Sequence, residues 1–343
     1  MTRTDTSPSS TAGNAIPLIL TPGDPAGIGA EITLKAHAAG ERGFAIIEDP
    51  QRLADLASNL NLPVEVQIID TPAEMGPEPE KLPVIPLAWA EPPRAGIAAA
   101  QNAPMIIDSI SKAAAWARNG IAAAMVTNPI NKAVLKAAGF THPGHTEFLA
   151  TLSSPRAGAP TMMLACDALR VVPVTIHMAL RDVAAALTGD EIFAKGMLFA
   201  ESLKQDFSCP DPRIAVCGLN PHAGEQGQFG DEDGHIIAPA VARLQSAGIK
   251  AFGPVSADTL FHSRARETYD GVLGMYHDQV LIPIKTIDFD GGVNVTLGLD
   301  FIRTSPDHGT AFDIAGTGRA DAGSLISAIR MARSMAANRH AAG

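Results

Sequence analysis

The chain has 343 residues, 46% of them hydrophobic and 18% charged, with a formal net charge of -10; that is ample apolar material for a large core and more chain than one typical domain uses, so two domains are expected. The acidic balance, without any block of Lys or Arg, excludes nucleic acid and an anionic membrane surface as partners. No apolar run approaches the roughly 20 residues of a membrane-spanning helix, and an anionic substrate would need a few local cations working against the overall field.

Residues 1–15, MTRTDTSPSSTAGNA, lack an apolar stretch and read as a disordered tail rather than a signal peptide, which places the protein in the cytoplasm. From there, short apolar runs alternate with Ala-rich helical stretches: IPLILT then EITLKAHAAG, FAIIED then QRLADLASNL, IAAAMVT then NKAVLKAAG, followed by RIAVCG and GVLGMY. This alternation predicts an α/β fold with a largely parallel sheet. Residues 71–95 are dense in proline and predict a loop or an edge strand. Cys166, Cys209 and Cys217 have no CxxC spacing and cannot pair completely, so they read as free thiols.

In open α/β sheets ligands bind beyond the carboxyl ends of strands, so polar residues that directly follow apolar runs carry the interest. TPGDPAGIGAEI (residues 21–32) has Gly23, Gly27 and Gly29, which permit tight turning and close approach to a ligand; it is not a GxGxxG fingerprint, and a plain connecting turn reads equally well. TNPINK (127–132) brings Lys132 to a helix start, suited to a phosphate or merely to a turn. PGHTEFLA (143–150) sets His145 and Thr146 at another helix start, where two donors suit an anion, or where Thr146 is only an N-cap. His177, His222 and His277 each follow a strand-like run. Any one of them reads as a core or loop residue. Three together would leave an open coordination position, as a catalytic divalent site requires. Lys285, Asn294 and Arg303 lie in a Gly-rich segment of low charge, as isolated cations and an amide.

The motifs TPGDPAGIGAEI, TNPINKAVL, GHTEFLA, GLNPHAGE, ADTLF, MYHDQ, VNVTLGL and FIRTSPDHGTAFDIAG, in that order, closely resemble the 4-hydroxythreonine-4-phosphate dehydrogenases of pyridoxal phosphate biosynthesis. The likeness starts near Ile16 and covers almost the whole chain; TNPINK departs from the TGPxxK form of many relatives. The resemblance implies that His177, His222 and His277 bind one divalent metal per subunit (zinc, magnesium or cobalt), with ligands drawn from both subunits of a homodimer. It implies that His145, Thr146, Lys285, Asn294 and Arg303 bind a small phosphorylated amino-acid substrate. Asp258 and Asp278 join the site by the same likeness, and either Lys285 or Asp278 is the base. GDPAGIGAEI and DHGTAFDIAGTGRA are further similar to the opening and nucleotide loops of isopropylmalate and isocitrate dehydrogenases, which bind a dinucleotide without the glycine fingerprint. That likeness implies NAD or NADP at Gly309, Thr310 and Asp313. It also implies a two-domain fold with an interdomain cleft: residues 16–138 plus 308–343 on the nucleotide side, and 139–307 for metal, substrate and dimerisation. Dehydrogenases of 4-phospho-threonate, 4-phospho-erythronate or a dihydrodiol acid share such a site. A non-catalytic phosphometabolite-binding protein and a metal-dependent lyase are the readings from other classes.

Overall fold

The computed structural model describes residues 16–342 except 77, 143 and 155–158; the tail assigned to residues 1–15 lies outside the described residues. Twelve strands form one sheet: β1 (Leu18–Thr21), β2 (Phe44–Glu48), β3 (Val66–Ile68), β4 (Leu82–Pro86), β5 (Ala124–Thr127), β6 (Thr161–Cys166), β7 (Leu169–Thr175), β8 (Arg213–Cys217), β9 (Lys250–Val255), β10 (Gly271–Tyr276), β11 (Val293–Leu297) and β12 (Arg303–Pro306). The α-helices are α1 (Gly29–Ala38), α2 (Pro50–Asn59), α3 (Ala103–Arg118), α4 (Lys132–Ala137), α5 (His145–Leu152), α6 (Leu180–Ala186), α7 (Gly189–Asp206), α8 (Ala238–Ser246), α9 (Ser263–Arg266), α10 (His277–Ile287) and α11 (Gly323–Ala342).

Strand order is β3-β4-β2-β1-β5-β12-β11-β6-β7-β10-β8-β9. The left half, through β12, is wholly parallel, and so is the right half from β7 onward. Antiparallel pairing is confined to the centre, where β11 meets β12 and β6, and β6 meets β7. The α/β architecture with a largely parallel sheet therefore holds. The proline-dense segment 71–95 does form a strand, but β4 lies one place in from the edge, covered by the three-residue β3. Its prolines sit at Pro83 and Pro86, and the Val84 carbonyl still accepts from Ile69 N at 3.0 Å, so enough ladder survives.

Alternation along the strands sorts side chains onto two faces. On one face Leu20, Val126, Val174 and Val216 join Leu34, Leu203, Leu244 and Leu325 of α1, α7, α8 and α11 in a single apolar cluster that runs under both halves. On the other face the core is split. Ile19 and Met125 pack with Ile106 and Leu149 of α3 and α5, while Val171 and Ala215 pack with Val280 and Ile284 of α10. Between these two clusters, over the central strands, polar residues replace apolar ones, and the cleft lies there.

Candidate active site

Thr127 of β5, Arg303 and Ser305 of β12, Asn294 of β11 and Met162 of β6 all line the cleft, which holds about 1170 Å3. The pairing registers put Asn294 opposite Ser305, Thr296 opposite Met162 and Arg303 beside Met125, so these residues share one face. On one wall stand Lys132, His145, Thr146 and Glu147; on the other His177, His277, Asp278 and Lys285.

Arg303 is 5% exposed, and all its partners are neutral. Its Nε and one Nη donate to Thr127 Oγ1 at 3.1 and 2.7 Å, the other Nη donates to Thr296 Oγ1 at 3.0 Å, and His145 Nδ1 lies 3.3 Å away. Burial lowers its pKa to about 10, which leaves it charged at neutral pH. A cation removed from water and given no carboxylate is expensive, and it makes the site electrophilic toward an anion. Because guanidinium can only donate, His145 Nδ1 accepts and the ring proton sits on Nε2. That Nε2 is buried without a partner among the described residues. Burial, then Arg303, then Lys132 hold His145 well below the ordinary imidazole range, so it is neutral and offers one unsatisfied donor. Gly144 is the N-cap of α5, so Thr146 is not a cap and is left to face the cleft.

Lys285 pairs with Asp307 at 2.6 Å, joining α10 to the start of the Gly-rich segment after β12. His277 opens α10, and its Nδ1 is 2.7 Å from Asp278 Oδ1. A carboxylate oxygen only accepts, so Nε2 is left free as a ligand atom. The His177 and His277 rings stand 6.0 Å apart between centroids. His177 is held below its ordinary pKa by burial, then by Lys132 and His277, with Glu147 opposing.

His222 and Asp258 are outside the cleft. His222 lies in a run of left-handed backbone, His222 to Gln226, and its ring rests 6.1 Å from Phe229. Asp258 is exposed; the Ser256 hydroxyl donates to it at 2.5 Å and holds its carboxyl below the usual range, with His222 adding to the effect. Two neighbourhoods result: His177, His277 and Asp278 in the cleft, His222 and Asp258 apart from it. Among the described residues of one chain, no three His, Cys, Asp or Glu side chains come close enough to hold a metal ion. Gly309 lines the cleft, whereas Thr310 lies against the opening loop, its carbonyl accepting from Ile28 N at 3.1 Å, and Asp313 is exposed. The TPGDPAG and TNPINK loops also close on each other, through Asp24 N to Pro129 O at 2.9 Å and Asn128 Nδ2 to Thr21 O at 3.0 Å.

Sequence reasoning passed over Thr127, Thr296, Glu147 and Asp307. Strand alternation sets Thr296 on the same face of β11 as Asn294, whereas Thr127 meets Arg303 only through the β5–β12 register, which the sequence does not carry.

A family model for the pyridoxal phosphate biosynthetic protein PdxA matches residues 42–332. The chain belongs to the PdxA family. Proteins called 4-hydroxythreonine-4-phosphate dehydrogenase from Xanthobacter autotrophicus and Methylorubrum extorquens are 49% and 51% identical to it over 334 and 330 residues; each alignment covers 93% of this chain, and 93% and 94% of the relatives. A crystal structure of such an enzyme from Klebsiella pneumoniae matches with a TM-score of 0.87 at 40% identity, covering 95% of this chain and 99% of that one.

The groups that PdxA membership suggests can be tested on these side chains. A divalent cation fits in part: the His177 and His277 imidazoles lie 6.0 Å apart between centroids, the second oriented by the Asp278 carboxylate, and a third donor is needed. For a dinucleotide the lining offers only room: Gly309 borders the cleft, and an added Cβ there would meet nothing within 4 Å. No helix among the described residues is long and apolar enough to cross a membrane.

Proposed function

We propose that this chain, in the cytoplasm, oxidises 4-phosphooxy-L-threonine with NAD or NADP to 2-amino-3-oxo-4-phosphooxybutanoate, which loses carbon dioxide to give 3-amino-2-oxopropyl phosphate on the route to pyridoxine 5′-phosphate. The observation that carries this reading, within the PdxA family, is the Arg303 guanidinium: fully buried on the cleft floor and bonded only to neutral groups. Such a cation gains most from a dianion, so the phosphate belongs at Arg303, with the Nε2–H of His145, Thr146 and Asn294 completing its shell. Lys285, already carrying Asp307 at 2.6 Å, is then free to exchange that carboxylate for an anionic group of the substrate.

Anchoring the phosphate, which C4 carries, holds the neighbouring C3 between the two walls, which is the orientation that a hydride transfer needs. When bound, the nicotinamide would accept the hydride and a divalent cation at His177 and His277 would supply Lewis acidity to the C3 oxygen. Asp278 keeps the His277 ring turned so that Nε2 faces the cleft. Asp278 and Lys285 remain the two candidates for taking the hydroxyl proton.

The third imidazole is proposed to be His222 of the partner subunit, arriving with Asp258 across a two-fold axis. That His222 is not among the residues lining the cleft of its own chain supports that arrangement. Residues 16–138 with 308–343 would then form the nucleotide side, with Gly309, Thr310 and Asp313 contacting the dinucleotide, and residues 139–307 the metal and dimer side. The test is a coupled assay for NADH and carbon dioxide on 4-phosphooxy-threonine, before and after chelation and after adding back zinc, magnesium or cobalt. Chelation should abolish both products and metal should restore them; full activity in demonstrably metal-free protein would refute the scheme.

A further inference from the structure

His222 stands on a backbone that few side chains tolerate. From His222 to Gln226 five consecutive residues have positive φ (54°, 51°, 78°, 41° and 57°), and only Gly224 among them lacks the Cβ that crowds the carbonyl oxygen in that region. A strained turn of this kind persists only where its surroundings over-determine it. They do so at its root, where each backbone N–H from Gly218 to Asn220 is taken. Gly218 N donates to Val255 O at 2.8 Å, Leu219 N to Asp233 Oδ1 at 2.8 Å and Asn220 N to Asp233 Oδ2 at 3.1 Å. The Asn220 amide adds bonds to Asp233 Oδ2 at 3.0 Å and to Glu232 Oε2 at 2.8 Å, and the Asn220 carbonyl accepts from Ala223 N at 3.1 Å. Asp233, just before α8, is 2% exposed. Its side chain is clamped between two glycines: an added Cβ on Gly218 would lie 2.6 Å from Oδ1, and one on Gly224 would lie 3.2 Å from Cβ and Oδ2. Gln279 of α10 donates to the Gly218 carbonyl at 2.7 Å and accepts from Met275 N at 2.6 Å, which ties the same root to the elements that carry His277.

We propose that Asp233 is a positioning residue for the metal site: its carboxylate builds the His222 turn before any cation arrives, so that the exposed imidazole is presented in one place. This rests on the functional reading above, in which His222 completes the site across a two-fold axis. A ligand on a loose loop must be ordered as the cation binds, and that ordering weakens binding; a turn already ordered by the fold carries no such cost. Asp233 bonds to backbone N–H groups and to Asn220, so it acts through His222 and not on the reacting atoms. Asparagine at this position keeps the size but turns one acceptor oxygen into an N–H donor facing Leu219 N or Asn220 N. One bond is lost and one repulsion gained, at the root of the turn.

The experiment compares the wild type, Asp233→Asn and His222→Ala, all stripped of metal, by calorimetric titration of zinc, by calorimetric titration of inorganic phosphate and by amide hydrogen exchange over residues 218–228. Asp233→Asn is expected to bind zinc about 10–100-fold more weakly, to bind phosphate within about threefold of the wild type, which also shows that it is folded, and to exchange faster in that segment alone. His222→Ala should weaken zinc binding at least as far. Wild-type zinc affinity in Asp233→Asn overturns the proposal, because the turn then needs no anchor. A loss of phosphate binding as deep as the loss of zinc overturns it too, because the carboxylate then serves the fold at large. If Asp233→Asn does not fold, Gly224→Ala, which presses on the same carboxylate, takes its place with the same expected and opposing results. A wild type that binds no zinc, or a His222→Ala variant that binds it as the wild type does, overturns the shared metal site of the functional reading, and this inference with it.

Discussion

Arg303 shows how a site is held at odds with the fold around it. Its guanidinium is buried at 5% exposure and its lowered pKa, about 10, reports the same fact: charge is disfavoured there, yet retained at working pH. Arg303→Met should consequently leave the ligand-free protein no less stable, with a gain of about 1 kcal/mol or more in urea unfolding, because a dehydrated charge is replaced by an apolar chain of similar volume. The same change should cut kcat/KM for a phosphorylated substrate by roughly 10²–10³-fold, the value of a buried charged contact of about 3–4 kcal/mol. Arg303→Lys should not rescue it, since one ammonium cannot reach Thr127 and Thr296 in the same fork. A marked loss of stability in the methionine variant would show that the guanidinium is structural. At this scale the sequence was informative where a motif carried the residue: His145, Thr146, His177, His277, Asp278, Lys285, Asn294, Arg303 and Gly309 share one cleft. What could not be read was the company each keeps, such as Asp307 on Lys285, because that pairing depends on how α10 crosses the end of β12.

At the scale of elements, strands rich in Val and Ile were legible and the central ones were not. β1, β2, β5, β8 and β10 fall on the apolar runs of the sequence. β12 reads RTSP and β11 reads VNVTL, where Arg, Ser, Asn and Thr mask the strand pattern because one face of each lines the cleft and not a core. The antiparallel pairings of β11 with β12 and β6 were missed for the same reason; β6 and β7 are apolar, and what sets their antiparallel pairing is the two-residue connection between Cys166 and Leu169. Close packing between elements is also invisible until the fold is known. A Cβ on Gly271 of β10 would come within 2.2 Å of the Phe199 ring on α7. Gly271→Ala should therefore cost about 1–3 kcal/mol by overpacking, read as a lower urea midpoint with an unchanged slope. A neutral result would mean that α7 can move away from the sheet at little cost.

For the molecule as a whole, exposed Met178, Leu180, Ile282 and Phe289 follow the two cleft histidines in sequence, on the segment after β7 and on α10 and its end. Large exposed apolar side chains that follow His177 and His277 suit the second copy of the chain proposed above. Leu180→Asp, at an exposed position outside the cleft lining, should convert the proposed dimer to a monomer in sedimentation equilibrium and abolish turnover if His222 of the partner subunit completes the site. A monomeric wild type, or an active monomeric variant, would contradict the shared site. The uncompensated guanidinium has an effect that reaches beyond the cleft. Any anion that settles on it binds only the folded form, and at a hundredfold excess over its Kd adds about 2.7 kcal/mol to the unfolding free energy. Thermal endurance would thus track the concentration of the phosphorylated compounds dissolved around the enzyme.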